Sequence, residues 1–377
     1  MSQPIELPRW LDLGVLPLVN LALAFAASAM VLLAIGQEPG RVLVLLVKGA
    51  FGSPAGLSYT LYYATTFVFT GLAIAVAFHA GLFNIGGEGQ AMMGGLGAGL
   101  VALGFAPSLP AWLLLPLMIG AAMVFGMAWA AVPGALQAWR GSHIVITTIM
   151  FNFIASALLI YLLVGPLKEP GNMTPESRAF GPNAMLAGMH EMLGWVGIEW
   201  PRTPLNFSVL LAIVAAIAVY LLLWRSRAGY ALRTVGHTPD AAHYAGIRPR
   251  AQVLLAMAIS GALAGLVGVN EIAGVHNRLM ADFVGGAGFA GIAVSLIGRS
   301  HPLGVVLAAL LFGALYQGGA ELAFEIQGFS RDMVFTLQGL IVLFAGAMSQ
   351  VAASWLGRAW LALHRRNAAP TLESGRG

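Results

Sequence analysis

Long apolar runs separated by short charged stretches dominate the sequence. Asp, Glu, Lys and Arg are absent from the segments 13–37, 49–87, 89–139, 141–167, 203–224, 251–270, 300–320 and 333–357. An α-helix needs about 20 predominantly apolar residues to cross the hydrocarbon layer of a bilayer. Because every unpaired backbone group is costly in lipid, runs of this length predict membrane-spanning helices.

The pattern predicts an all-α polytopic membrane protein with about ten transmembrane helices. We place them at 13–35, 58–78, 89–104, 111–136, 144–164, 205–224, 252–274, 287–298, 302–322 and 333–352. Two of them are atypical, since 89–104 is short and glycine-rich and 287–298 is too short to span a bilayer alone. An alternative topology therefore has eight full spans and two broken or re-entrant segments.

The amino-acid composition agrees with this class. Apolar residues make up 59% of the 377 residues and charged residues only 9%, against about 45–50% and 25% in soluble domains. So few charges cannot cover a water-facing surface, which excludes a soluble enzyme and a nucleic-acid-binding protein. With no cysteine, the chain also has no disulfide and no thiolate metal site. We treat residues 1–377 as a single transmembrane domain in the lipid bilayer.

Arg and Lys are distributed unevenly among the polar segments, and cytoplasmic loops carry the excess of these residues. The 225–251 loop has five arginines against Asp240, and the segment after residue 357 has four arginines against Glu373. The 165–204 loop instead has three basic and four acidic residues. These counts predict that 225–251 and both termini are cytoplasmic and that 165–204 is external.

Two glycine clusters indicate an internal repeat. They are Gly86-Gly87-Glu88-Gly89 and Gly285-Gly286-Ala287-Gly288, and each begins a helix that is short or weakly apolar. In the topology above, the helices around the two clusters run in opposite directions, so 58–164 and 252–352 are candidate inverted repeats. In transporters, paired glycine-interrupted segments of this kind point to a solute path near the bilayer midplane.

Six polar residues within the apolar runs are candidates for a substrate pathway. They are Asn84, Glu88 and Gln90 around the first glycine cluster, Asn152 in the fifth predicted helix, and Asn270 and Glu271 in the seventh. A charged side chain at the bilayer centre costs about 2.5–3.5 kcal/mol and usually faces a cavity or a partner. The alternative is structural: Glu88 would favour a helix N-terminus, and the amides would bond neighbouring helices.

The 225–251 loop contains the signature of a short amphipathic helix. Thr238, Pro239 and Asp240 match a cap, a proline in the first position and an acid in the first turn, and Gly246 is suited to end the helix. A capped helix in a basic loop favours a docking partner over an ordinary loop. Ala241, Ala242 and Ala245 form its predicted outward face, and the aromatic residue Tyr244 lies beside that face.

The sequence shows no device for ATP hydrolysis or other catalysis. A P-loop requires Gly-Lys-Ser/Thr, and the two lysines, Lys48 and Lys168, follow Val47 and Leu167. Neither a zinc-binding H-E-x-x-H pair nor a G-x-S-x-G nucleophile motif occurs. We therefore predict no catalytic residue, no metal site and no cofactor in this chain.

Several segments together resemble the permease subunits of bacterial ABC importers for nucleosides, which belong with the ribose, simple-sugar and branched-chain amino-acid permeases. The segments are 81–90, 233–247, 259–268, 291–299 and 302–304, with Thr147, Thr148 and Asn152, and the resemblance extends over residues 40–350. It implies a pair of identical or paralogous permeases in the bacterial cytoplasmic (inner) membrane. It also implies two ATPase subunits that use ATP and a solute-binding lipoprotein or periplasmic protein.

By the same resemblance, residues 238–247 match the helix that couples the permease to its ATPase. The matched residues are Thr238, Pro239, Asp240, Ala241, Ala242, Tyr244, Ala245, Gly246 and Ile247. Asn84, Glu88 and Gln90 match the polar motif that lies near the solute path. Simple-sugar permeases share these motifs, so nucleoside import and simple-sugar import both stay open.

An alternative of a different class is a secondary transporter that needs no ATPase. Such a protein would need a site for a coupling ion, and the apolar segments offer chiefly Glu88 and Glu271 for it. An intramembrane enzyme is disfavoured, because no nucleophile–base pair or group of metal ligands is evident. An ABC permease for nucleosides is therefore the preferred prediction.

Overall fold

The computed structural model describes residues 8, 11 and 15–326 and, after them, 333–334, 336, 339–340, 343 and 354–357. Within these residues the chain is helical, with three isolated β-bridges and no strand. The chain divides into two compact units, residues 1–44 with 328–377 and residues 45–327. All of the candidate functional residues lie in the second unit.

Thirteen α-helices follow one another along the described part of the chain. Their bounds are α1 Leu16–Ala34, α2 Pro39–Phe51, α3 Pro54–His79, α4 Gly87–Phe105, α5 Ala111–Arg140, α6 Ile144–Val164, α7 Met189–Gly194, α8 Ser208–Tyr220, α9 Arg227–His237, α10 Pro239–Tyr244, α11 Pro249–Gly268, α12 Ala287–Ile297 and α13 Pro302–Glu325. Two helices continue into π-helical segments, α8 into Leu221–Arg225 and α11 into Val269–His276.

Six helices in the described residues are long and apolar enough to cross a membrane, or seven if the bent pair 22–34 and 39–51 counts as one span. The six are α3, α5, α6, α8, α11 and α13, with α8 and α11 taken together with their π-helical extensions. This confirms an all-helical, multi-pass membrane protein but does not confirm the predicted count of ten. The two atypical helices, α4 and α12, are present without being among the six, and the tenth predicted helix, 333–352, lies largely outside the described residues.

Capping residues explain why two spans are longer than predicted. α3 begins at Pro54 rather than at 58, because the Ser53 hydroxyl accepts a hydrogen bond from the Gly56 N–H (3.0 Å) and proline fits the first turn of a helix. α5 continues past the predicted end at 136 to Arg140. It ends where Gly141 adopts a left-handed backbone conformation (φ 67°).

α3 and α11 form the centre of the helix bundle. α3 packs on α12 and α13, whereas α11 packs on α4 and α5, so corresponding helices of the two candidate repeats have corresponding neighbours. α3 is the most buried of the six spans, while most residues of α5, α6 and α8 are only partly buried or are exposed. The backbones of α5 and α11 touch at Gly126 and Gly261. Glycine is required there, because a side chain on Gly261 would overlap the Gly126 carbonyl.

Candidate functional site

The first polar cluster fills the break between α3 and α4. The side-chain amides of Asn84 and Gln90 bond each other in both directions (3.0 and 3.1 Å), and Asn84 also donates to the Ser260 hydroxyl (2.9 Å). The Asn84 Oδ1 atom accepts from the Gly86 N–H (2.8 Å). All three side chains are buried. The predicted pathway residues at this break thus bond to one another and to the interrupted backbone.

Asn152 of α6 also bonds to the backbone of this break. Its side chain accepts from the Gly89 N–H and donates to the Ile85 carbonyl, both at 2.9 Å. Thr148, one turn earlier, accepts from the Ile85 N–H at 3.3 Å. An unwound backbone inside a bilayer needs such partners, because lipid offers none. Sequence reasoning missed Ser260, since a single serine on an apolar helix gives no signal beyond packing.

Glu88 joins the two short helices. It lies in the first turn of α4, is only 5% exposed, and its carboxylate accepts from the N–H groups of Gly286 (2.9 Å) and Gly288 (2.8 Å). The Gly288 backbone also lies against Gly87 and Glu88, where no side chain would fit. The two glycine clusters therefore meet. A helix N-terminus does bind this carboxylate, but it belongs to α12 and not to α4, the helix that carries Glu88.

A second polar cluster surrounds Glu271, which is 6% exposed and lies in the π-helical end of α11. Its carboxylate accepts hydrogen bonds from the hydroxyls of Tyr62 and Thr66 on α3, the latter at 2.7 Å. Asn270 donates to the Thr66 hydroxyl (2.8 Å), and the His276 ring lies 3.9 Å from the carboxylate. Short π-helical segments are frequent at functional sites, so this cluster is a candidate for solute contact.

Asn206, at the start of α8, extends the second cluster. Its side-chain amide donates to the Asn270 Oδ1 atom (3.1 Å) and accepts from the Ser208 N–H (2.9 Å). Asn270 and Glu271 therefore belong to one hydrogen-bonded cluster. None of these hydrogen bonds joins this cluster to the one around Asn84. Sequence reasoning missed Tyr62, Thr66 and Asn206, because isolated hydroxyls and amides in apolar runs have no spacing that marks them.

Glu176 connects the 165–204 loop to the turn after α11 by hydrogen bonds. This carboxylate accepts from the Thr174 hydroxyl (2.8 Å), the Asn172 amide (2.5 Å) and the Arg278 guanidinium (3.1 Å). The hydrogen bonds from Thr174 and Asn172, together with the nearby Arg278 charge, lower the pKa of Glu176 below its usual value. A backbone hydrogen bond from Ser177 to Leu279 (2.8 Å) continues the contact.

α10 occupies the predicted coupling segment, with Pro239 in first position and Gly246 (φ 77°) following its end, as predicted. Two details of the prediction are wrong. The Thr238 side chain makes no capping hydrogen bond, and Ala242 is fully buried rather than outward-facing. Tyr244, by contrast, is 92% exposed. The other exposed residues of the segment are Thr238, Pro239, Asp240, Ala241, His243, Ala245 and Gly246, and Ile247 is half-buried.

The basic loop also contains α9, a helix that the sequence analysis missed. The Ser226 hydroxyl caps it by accepting from a backbone N–H three residues later (3.0 Å), and Leu232 and Val235 are buried on its inner face. The Gly236 backbone lies against Gly81, just after α3. The available signal was a serine cap followed by two apolar residues three apart.

Trp224 connects α9 to the ends of two spans. Its ring centre lies 5.2 Å from that of His79 at the end of α3 and 4.9 Å from that of His301 at the start of α13. The Arg233 guanidinium of α9 is 6.0 Å from the centre of the same ring. His79 also bonds the Ser300 carbonyl at 3.1 Å. One aromatic side chain is therefore in contact with the basic loop, α3 and α13.

Comparison with known proteins finds a matching family and several similar relatives. The family described as branched-chain amino acid transport system / permease component matches residues 56–348. The chain is 34% identical over 340 residues to the glucose ABC transporter permease protein TsgB13 of Haloferax volcanii, covering 89% of this chain and 88% of the relative. It is 32% identical over 332 residues to the nucleoside ABC transporter permease protein NupB of Lactococcus lactis, covering 87% and 89%. It is also 34% identical over 333 residues to the guanosine ABC transporter permease protein NupP of Bacillus subtilis, covering 88% and 92%. The chain therefore belongs to the family of branched-chain amino acid transport system permease components.

Proposed function

We propose that this chain is the membrane-spanning subunit of an ATP-driven ABC importer and that its solute is a nucleoside. The observation that carries the proposal is α10, a short helix with an exposed aromatic side chain, Tyr244, next to a helix that is linked to two spans through Trp224. A transport chain without a P-loop needs such a surface to receive an ATPase. Membership of the permease family supports the same function.

The proposed solute is supported by the relatives. Two of the three are named for nucleosides or guanosine. Simple-sugar import is the second candidate, because TsgB13, named for glucose, is similar over an equally large part of the chain. Uptake of labelled guanosine, uridine and glucose by proteoliposomes containing the complete importer separates the two. Uptake of glucose without either nucleoside would contradict the proposed solute.

The proposed assembly has two permeases, identical or paralogous, two ATPase subunits and a solute-binding lipoprotein or periplasmic protein. It lies in the bacterial inner membrane, with both termini and 225–251 cytoplasmic and 165–204 external. Ten crossings in a single domain require α4 and α12 to contribute to the spans. The inverted repeats 58–164 and 252–352 are supported by the corresponding neighbours of α3 and α11 and by the contact between α4 and α12.

Coupling follows from the order of contacts in the basic loop. In this proposal α10 docks on the ATPase through Tyr244, Ala241 and Ala245, which are exposed on its surface. A displacement of α10 moves α9, because the two helices are adjacent in the chain and pack on each other. α9 in turn contacts Trp224, and so moves the ends of α3 and α13.

The predicted pathway residues divide into two proposed roles. Asn84, Gln90 and Asn152 hold open the break between α3 and α4 by satisfying its backbone groups. Asn270 and Glu271 face solute, since their partners are side-chain hydroxyls and an amide that can rearrange. Glu88 belongs to the first group, because its partners are backbone N–H groups.

Tyr244→Asp tests the coupling surface. Exposed aromatic side chains are common anchors of protein interfaces, so we expect ATPase subunits no longer to co-purify with the permease and import to be lost. Tyr230→Asp is the matched control, because Tyr230 is also an exposed tyrosine but lies on α9. Normal ATPase binding and import by the Tyr244 variant would show that docking occurs elsewhere.

A further inference from the structure

A column of aromatic rings lies between α3 and α13. The ring centres of Tyr63 and Tyr316 are 5.5 Å apart, and that of Phe67 lies 5.1 Å from Tyr316 and 5.9 Å from Phe312. Phe67 and Phe312 are buried, whereas Tyr63 and Tyr316 are half-buried. The buried Phe67 therefore packs against Tyr316, which packs against Tyr63, and part of each tyrosine surface stays accessible.

The positions of the two tyrosines along their helices predict the same depth in the membrane. Tyr63 is nine residues after Pro54, the start of α3, and Tyr316 is nine residues before Glu325, the end of α13. At 1.5 Å per residue each lies about 14 Å along its helix from the predicted outer end. The hydrocarbon layer is about 30 Å thick, and tyrosine is enriched at its interfaces rather than in its interior. Two tyrosines at this depth therefore call for a role other than anchoring the helices at the membrane surface.

Hydrogen-bond acceptors adjoin the tyrosine pair. The Tyr62 ring centre is 5.1 Å from that of Tyr63, and its hydroxyl donates to Glu271. The pair therefore lies beside the Glu271 carboxylate of an adjacent helix, and it combines flat apolar surface with a hydrogen-bond acceptor, as recognition of a base attached to a polyhydroxyl sugar requires.

We propose that Tyr63 and Tyr316 form a stacking site for the base of the nucleoside as it crosses the membrane. The inference rests on the proposed function and names the residues that distinguish a nucleoside from a simple sugar. Aromatic side chains stack on any nucleobase, because every base has a π-face. The sugar hydroxyls face the Glu271 cluster, since a carboxylate accepts from about four directions, one more than the donors Tyr62, Thr66 and Asn270 occupy.

Import by proteoliposomes that contain the complete importer and its binding protein tests the site. Tyr63→Leu and Tyr316→Leu remove a ring, whereas Tyr63→Phe and Tyr316→Phe keep it. We expect the maximal rate of nucleoside import to fall about tenfold in the leucine variants and to stay within about twofold of wild type in the phenylalanine variants. Tyr161→Leu, which changes an exposed tyrosine on α6, is the control and leaves the rate unchanged.

The outcomes separate this inference from the proposed function. A wild-type importer that transports no nucleoside contradicts the proposed solute. Nucleoside import by wild type and leucine variants at equal rates overturns the stacking site alone. Equal losses in the phenylalanine and leucine variants also overturn it, because the hydroxyls and not the rings would then be required.

A measurement on the unmodified complex removes the risk that a leucine variant fails to fold. A nucleoside with an azide on its base is photo-crosslinked during turnover, and the labelled peptides are mapped by mass spectrometry. We expect labelling at residue 63 or 316, with competition by unlabelled nucleoside but not by glucose. Labelling confined to other segments would overturn the inference.

Discussion

Glu88 and Glu271 are the two buried carboxylates in the described interior, and the protein holds them in different ways. Glu88 accepts from backbone N–H groups of another helix, whereas Glu271 accepts from side-chain hydroxyls. A backbone donor is fixed by its helix, but a hydroxyl rotates and changes partners. Glu88 is therefore suited to hold helices together, and Glu271 is suited to exchange a protein hydroxyl for one of the solute.

The largest expected effect is a loss of stability at Glu88. Glu88→Ala leaves the N–H groups of Gly286 and Gly288 without acceptors, and each unsatisfied buried group costs about 1–3 kcal/mol. We expect the free energy of unfolding to fall by about 2–4 kcal/mol, measured by thermal unfolding in detergent. Glu88→Gln keeps an acceptor and should lose less. An alanine variant as stable as wild type but inactive in import would place Glu88 in the solute path.

The next largest effect is a loss of import at Glu271. Glu271→Gln keeps the shape of the side chain but removes the charge that strengthens a hydrogen bond to a solute hydroxyl. We expect the import rate to fall about tenfold while the free energy of unfolding changes by less than about 1 kcal/mol. Glu325→Gln is the control, since Glu325 is exposed at the end of α13. Unchanged import by the Glu271 variant would show that Glu271 does not contact the solute.

The smallest effect concerns Glu176, a carboxylate on the water-facing side. Because hydrogen bonds in the folded loop lower its pKa, it stabilises the loop above the ordinary glutamate pKa, and this contribution is lost as pH falls through the lowered value. After correction for intrinsic rates, we expect faster amide hydrogen exchange at residues 172–178 below about pH 4. Glu176→Gln should show the faster exchange already at neutral pH. If the variant exchanges as slowly as the wild type at neutral pH, the carboxylate does not stabilise the loop.

Local signals predicted most of the helical architecture. α6 begins at 144 and ends at 164 as predicted, because polar residues precede it and Gly165-Pro166 follow it. Thr238-Pro239-Asp240 likewise located α10 within one residue, although the threonine side chain does not cap it. Such signals depend on neighbours in the chain, which a sequence displays directly.

The partners of the polar residues were not predictable, because they are distant in the chain. Glu88 binds a residue 198 positions away, and Thr66 lies 205 positions from Glu271. The burial of Ala242 was missed for a related reason, since the packing of α10 on α9 and α11 was not foreseen. The polar residues were therefore identified correctly as unusual, while the division between structural and solute-facing roles depended on the tertiary contacts.

The meeting point of α4 and α12 is also a point of charge balance. Each helix N-terminus carries the equivalent of about half a positive charge, and both begin beside the single carboxylate of Glu88. The one negative charge offsets the two partial positive charges, so this part of the interior presents little net field. The two helix N-termini can therefore lie together inside the bundle without repelling each other.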